Sequence, residues 1–240
     1  MRPLRGIDTS LWAPLFDGTY AIVMTLLVLE LPAIGFDLVN EFNHHEIGIW
    51  PLMIDVLKLI IGYLGAFLII FDVWVKKRRL LSITERYCQF RGFDNIALLL
   101  SLFISTLLPP IVSLCWKVEQ ELRIQALAGN QNISIETVEV TALHLLFGIS
   151  VLLIYVIINH ISIQSCSRLK NKVLTSNLGD LQTEISSKIS NLQGVRRDTT
   201  SRIIASPLLL LSWLSPHLLI FIYGLIGLWH SDSSKPGGRH

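Results

Sequence analysis

The sequence predicts an all-α polytopic membrane protein with six transmembrane helices per chain, and three observations carry that prediction. Of 240 residues 51% are apolar and only 16% charged, and the mean hydropathy is positive, a balance that a soluble domain of this size could not readily hide from water. Apolar stretches recur at membrane-crossing length. Basic residues collect in alternate connections, as the positive-inside asymmetry of polytopic chains requires.

The spans follow in order. The first is Leu15 to Leu31, the second Trp50 to Val75, the third Ile96 to Cys115 and the fourth Val140 to about Ile163. The last stretch, Ile203 to Trp229, is long for one span and short for two, and Ser215-Pro216 interrupts it, so it predicts two short helices. The resulting division is residues 1–163 for helices one to four with their loops, 164–202 for a cytoplasmic amphipathic connector, 203–230 for helices five and six, and 231–240 for a tail.

Lys76, Lys77, Arg78, Arg79, Arg86 and Arg91 follow span two, and Arg168, Lys170, Lys172, Lys188, Arg196, Arg197 and Arg202 follow span four, which places both connections in the cytoplasm. The loops Ala33 to Ile49 and Trp116 to Glu139 carry few bases and are expected outside; Arg2 and Arg5 agree with a cytoplasmic N-terminus in a multi-pass protein of the cell membrane. No cleavable signal peptide is evident. Cys88 and Cys166 fall inside and Cys115 near the outer edge, which argues against a disulfide framework, and no Cys/His metal cluster stands out.

In the connector, Leu178, Leu181, Ile185, Ile189 and Leu192 recur at spacings of three and four and predict a helix with one apolar face. That face can pack on its own bundle, lie on the lipid surface or bind a partner as a coiled coil. No nucleic-acid motif accompanies its bases. Asp17, Asp55, Asp72, His144, His160 and His217 scatter among different helices and levels, so no enzyme is indicated. Asp55 and Lys58 stand three apart, as a structural ion pair or a transport relay. His144 and His160, toward opposite ends of span four, suit interfacial hydrogen bonding.

The first span is the most informative. It carries Asp17 and Gly18 at its start, Thr25 in its middle and Glu30 near its end, and hydrocarbon penalises an unpaired carboxylate by roughly 2.5 to 3.5 kcal/mol on insertion scales. Such a helix is expected to face protein or water on at least one side. Ile22, Leu26 and Leu29 share a face at i, i+4 and i+7, with Thr25 at its border. Ordinary packing produces such stripes. On the axis of a symmetric oligomer, each layer would instead become an apolar ring able to gate ions by dewetting.

The segment FDGTYAIVMTLLVLELP resembles the first helix of the prokaryotic branch of the lysosomal potassium channel family, transmembrane protein 175. That family's hallmark there is an Arg, three residues, Phe-Ser-Asp, then a Gly and an aliphatic run with Thr-Leu and Leu-Glu. Asp17, Gly18, Ala21, Ile22, Thr25, Leu26, Leu29 and Glu30 fall into register with it. Tyr63, Phe67 and Trp74 resemble the second-helix pattern, Asn95 with Leu107, Leu108 and Pro109 the third, and Ser215-Pro216 the break between the last two helices. Leu15 and Phe16 stand where the hallmark has Phe and Ser, Leu11 where it has Arg, and Lys76 and Lys77 where histidines usually follow the tryptophan. A substitute cation for Asp17 is therefore expected among Lys76, Lys77 or Arg79.

The resemblance implies a homotetramer with a central pore lined by the first helix, permeated by potassium and other monovalent cations within the lipid bilayer, and no cofactor. Consistently, there is no TVGYG-like filter sequence. On this reading Ile22, Leu26 and Leu29 form the pore constriction, Thr25, Glu30 and Asp37 are pore-adjacent polar groups, and Asp17, Gly18 and Trp74 form an inner-end structural motif. Alternative roles stay open for two of these: Glu30 as a helix-end carboxylate at the headgroups, and Thr25 as a hydroxyl bonded to its own helix. The function so implied is a potassium-selective cation channel. An ion-coupled secondary transporter, supported by Asp55 and Lys58, a proton-permeable leak channel of the same family and a non-conducting scaffold are the alternatives.

Overall fold

The computed structural model describes residues 9–45, 49–84, 90, 92–127, 133–175, 179–211 and 216–232. All regular structure among the described residues is helical: α1 (Thr9–His45), α2 (Ile49–Thr84), α3 (Gly92–Leu127), α4 (Ile133–Thr175), α5 (Gly179–Ala205), α6 (Pro207–Leu210) and α7 (Pro216–Asp232). The first four contain candidate membrane spans, Leu11–Asn40, Leu52–Thr84, Gly92–Leu122 and Glu139–Asn171.

These helices outrun the bilayer. At about 1.5 Å per residue, the 36 residues of α2 reach roughly 54 Å, against a hydrocarbon core of about 30 Å. Much of what the sequence suggests as loop is therefore helix. The α1 helix continues through Pro32 to His45, α2 through the Lys76–Arg79 run to Thr84, and α3 past Trp116 to Leu127. Lys, Arg and Glu seek water but are good helix formers, so a charge run ends the apolar span without ending the helix. A proline inside a membrane helix is likewise tolerated where neighbours or local adjustment satisfy the freed backbone. Asp37 consequently sits on the exposed side of α1 and not in a loop.

The bundle is built from adjacent pairs. The α1 helix lies against α2 and α3, α3 against α4, α4 against α5, and α2 against α7. The last pairing depends on glycine. A Cβ at Gly65 would come within 2.7 Å of the Phe221 backbone, and one at Gly224 within 2.9 Å of the Leu68 Cβ, so the two helices approach where neither carries a side chain. On α4, Gly148 gives α6 the same access, with the Leu209 carbonyl 3.1 Å from where its Cβ would stand.

The connector helix α5 packs on its own bundle, against α4 and α2. Ile185 and Leu192 are buried and Ile189 half-buried, and the same face continues through Val195, Thr199 and Arg202. Leu178 and the Leu181 side chain lie outside the described residues. In the last apolar stretch, α6 is a single turn, whereas α7 is 17 residues long and starts at Pro216, a position where the missing N–H costs nothing.

Replacing Gly65 by Val should drive α7 off α2. Overpacking a close contact costs about 1–3 kcal/mol, so thermal unfolding of the detergent-solubilised protein should shift down clearly, while Gly35→Val, where a Cβ meets nothing within 4 Å, should not produce that loss. Equal stability of the two variants would contradict this packing.

Candidate functional site

The α1 helix has two dissimilar faces. Trp12, Phe16, Tyr20, Val23, Leu27, Ile34 and Leu38 are all buried against the chain's own bundle, spaced three, four and seven apart as one helical side. Opposite them, Ile22, Leu26 and Leu29 are 62%, 46% and 64% exposed. Gly18, Ala21 and Thr25 are exposed along the same side. The Thr25 hydroxyl donates to the Ala21 carbonyl at 2.7 Å, which satisfies its proton and leaves the oxygen able to accept.

Polar contacts fix the rotation of α1. Trp12 Nε1 donates to Asn95 Oδ1 on α3 at 3.2 Å. Lys77 of α2, fully buried, donates to Tyr20 OH at 2.7 Å and to the Ser101 carbonyl at 3.2 Å, with Ser105 Oγ at 3.4 Å. With its oxygen accepting from Lys77, the Tyr20 hydroxyl donates to Ser105 Oγ at 2.7 Å, and Ser105 passes its proton on to the Ser101 carbonyl at 2.7 Å. Lys77 Nζ also lies 5.1 Å from the ring centres of both Phe16 and Tyr20. A slip of α1 by one residue would strand this polar nitrogen among apolar side chains.

Asp17 and Trp74 meet: Trp74 Nε1 donates to Asp17 Oδ1 at 2.8 Å. The cation beside Asp17 is Arg78, with Nη1 3.6 Å from Oδ2, and not Lys76, Lys77 or Arg79. Helical phase explains the difference. Arg78 stands four residues after Trp74 on the same face and covers its ring at 5.4 Å, whereas Lys76 and Lys77 point into the bundle. Gly18 is exposed beside this contact, and a Cβ there would meet nothing within 4 Å.

A second buried cluster ties together four helices. Asp72 of α2 pairs with Lys76, accepts from Tyr155 OH of α4 at 2.5 Å and from Arg202 Nε of α5 at 3.0 Å. Arg202 also donates to the Tyr223 carbonyl of α7, and Tyr223 OH returns a bond to the Arg202 carbonyl at 3.1 Å. Gly227 is bare where this guanidinium passes; a Cβ would collide with it. Nearer the start of α7, Glu119 of α3 takes His144 Nε2 of α4 on one oxygen and His217 Nε2 of α7 on the other, each at 3.2 Å. A cavity of about 30 Å³ adjoins both histidines, walled by Trp116 and Phe147.

The sequence scatters Asp72, His144 and His217; the fold gathers each into a cluster, because α7 returns alongside α2 and carries His217 to one cluster and Tyr223, six residues on, to the other. The overlooked members were Glu119, Tyr155, Arg202 and Tyr223. A single signal was available: polar and charged residues within apolar segments imply partners of matching depth. Asp55 and Lys58 form an ion pair at 3.6 Å, with the lysine more than half exposed. His160 is exposed and edges onto Phe93 at 6.0 Å. Glu30 is half-buried and faces the Tyr63 hydroxyl of α2. Cys115 and Cys166 are free thiols, and Cys88 lies outside the described residues. Among the described residues no group of three or more His, Cys, Asp or Glu is arranged to hold a metal ion.

Truncating Arg202 to Met should destabilise the protein by about 3–5 kcal/mol, since it removes one of the buried charges that balance Asp72. Tyr155→Phe, which deletes one neutral donor, should cost about 1 kcal/mol. Denaturant unfolding in micelles distinguishes them, and equal losses would contradict the central place of Arg202.

Residues 13–109 match the family model described as endosomal/lysosomal potassium channel TMEM175. No curated protein and no solved structure matches the chain. The matched residues run from the start of α1 through α2 to the proline pair of α3, and so include the two-faced first helix together with Trp74, Lys77 and Asn95 that hold it. Over residues 13–109 the chain is similar to the TMEM175 family of potassium channels.

Proposed function

We propose that this chain is a potassium-selective cation channel of the cell membrane, conducting as a homotetramer in which the first helices surround the axis and Ile22, Leu26 and Leu29 form the constriction. The observation that carries this reading is the bareness of that stripe. Of the four long spans α1 is the least covered by its own bundle, with 22% of its apolar window buried against 28%, 39% and 44% for the others. Lipid can cover an apolar face, but this one is interleaved with Gly18, Ala21 and Thr25. Small residues on one helical side let helices approach closely, the usual composition of a helix–helix contact in a membrane.

The mechanism follows from the layers. A hydrated cation enters from the end of α1 that carries Glu30 and Asp37, which raise the local cation concentration. It sheds part of its water at the aliphatic rings, where a narrow apolar passage dewets and closes unless widened. Thr25, with its proton committed to Ala21, offers acceptor oxygen beside the rings. The basic ends of α2 and α4 face the cytoplasm by charge asymmetry, which puts the N-terminus inside, and α7 follows the four long spans as a shorter apolar helix. Asp17, held by Trp74 and Arg78, anchors the inner end of the pore helix to α2.

Potassium flux from proteoliposomes tests this. Ile22→Ser and Leu29→Ser should each raise or deregulate the flux by wetting the constriction; unchanged conductance and selectivity in both would overturn the assignment. Asp37→Asn should lower conductance only at low salt, since exposed charges are screened beyond about 10 Å at 0.1 M. A salt-independent effect would mean direct coordination by that carboxylate. Substrate-dependent counterflow in place of simple flux would favour a transporter.

A further inference from the structure

A second site lies away from the first helix. Where the last turns of α2 meet α5 there is a cavity of about 650 Å³, within the range of roughly 300–1,000 Å³ typical of small-molecule sites. Arg79 enters it from α2, and Lys188 and Arg197 from α5. Asn191 and Gln193 add amide donors on the same helix. Asp198 also contributes to the wall, but it is buried and lies in the field of Lys76, Arg197 and Arg79, so cations outnumber the acid here.

The helix that forms the floor has a feature its packing does not explain. Gly194 sits in the interior of α5, where glycine costs about 1 kcal/mol relative to alanine. A Cβ at Gly194 would meet nothing within 4 Å, so no neighbouring element requires its absence. Gly194 itself lines the cavity, in the stretch of α5 between Lys188 and Arg197. Three cations converging on an open, donor-lined space at the end of an apolar span suit a polyanion that presents several acceptor oxygens at once. Arg79 closes the Lys76–Arg79 run that ends the apolar part of α2, which puts the cavity at headgroup depth.

We propose that this cavity binds a phosphate-bearing headgroup, with Arg79, Lys188 and Arg197 as its phosphate ligands and Gly194 as the position that leaves room for it. The shared chemistry is a phosphomonoester on a compact polar ring, attached to a lipid or free in solution. Binding would clamp α5 to the end of α2, the helix that also holds Asp17 through Trp74 and Arg78.

The purified full chain in neutral detergent tests the site by direct binding and thermal shift, with a short-chain phosphatidylinositol phosphate, the corresponding deacylated inositol phosphate, and short-chain phosphatidylcholine as the neutral control. The phosphatidylinositol phosphate should bind and stabilise the chain; equal binding of the deacylated compound identifies a soluble ligand, and loss of binding on deacylation identifies a lipid. Lys188→Gln with Arg197→Gln should weaken binding by about tenfold or more, the scale of losing charge-assisted hydrogen bonds. Gly194→Leu keeps every charge and fills the space, so it should abolish binding without lowering the unliganded unfolding temperature, since leucine favours the helix more than glycine does. Two results would overturn the proposal: neither phosphate compound binding more tightly than phosphatidylcholine, or binding that survives both the charge variant and Gly194→Leu.

Discussion

A polar head group that enters a bundle surrounded by hydrocarbon must find its partners inside the protein, and this constraint organises the whole chain. Lys77 satisfies it with Tyr20, Ser101 and Ser105, which fixes α1 on α2 and α3. Asp72 satisfies it with Lys76, Tyr155 and Arg202, which joins α2, α4 and α5, and Arg202 extends the link to α7. Apolar packing alone would permit α1 to rotate at little cost, because lipid is as apolar as leucine. The buried lysine does not permit it. The exposed face of α1 is therefore dictated by where Tyr20 has to be.

That rotation gives the first helix its division of labour. Its aromatic side is spent on the bundle, with Trp12, Phe16 and Tyr20 inserted between α2 and α3. Its aliphatic side, with small residues interspersed, is left to whatever the isolated chain lacks. A helix that faced only lipid would have no use for Gly18, Ala21 and Thr25 in one line, and a helix buried within one subunit would not leave Leu29 64% exposed. The proposed symmetric contact between copies would account for both.

The first four spans and the stripe on α1 were legible in the sequence because both are periodic and local, whereas the expected fifth span is only the single turn α6. Apolar runs report the solvent, and spacings of three and four report the face. The length of the helices was less so, since Lys76–Arg79 looks like a loop signal and is instead a solvated helix end. The partners of Asp17, Asp72 and Glu119 were not legible. They depend on helix phase, which separates Arg78 from its neighbours Lys77 and Arg79, and on the return of α7, which only the glycine contact at Gly65 and Gly224 makes possible. Lys77 shows the same limit from the other side: in a run of four bases nothing marks one of them as the buried hinge pin.

Whether the bare edges of several first helices meet at a common axis is measured by cysteine cross-linking in native membranes, with Leu26→Cys in a background lacking the natural cysteines and Phe103→Cys on the exposed side of α3 as the comparison. Oxidation should join copies covalently through position 26 and not through position 103. Failure of Leu26→Cys to cross-link, while it reacts freely with a membrane-permeant thiol reagent, would contradict that arrangement.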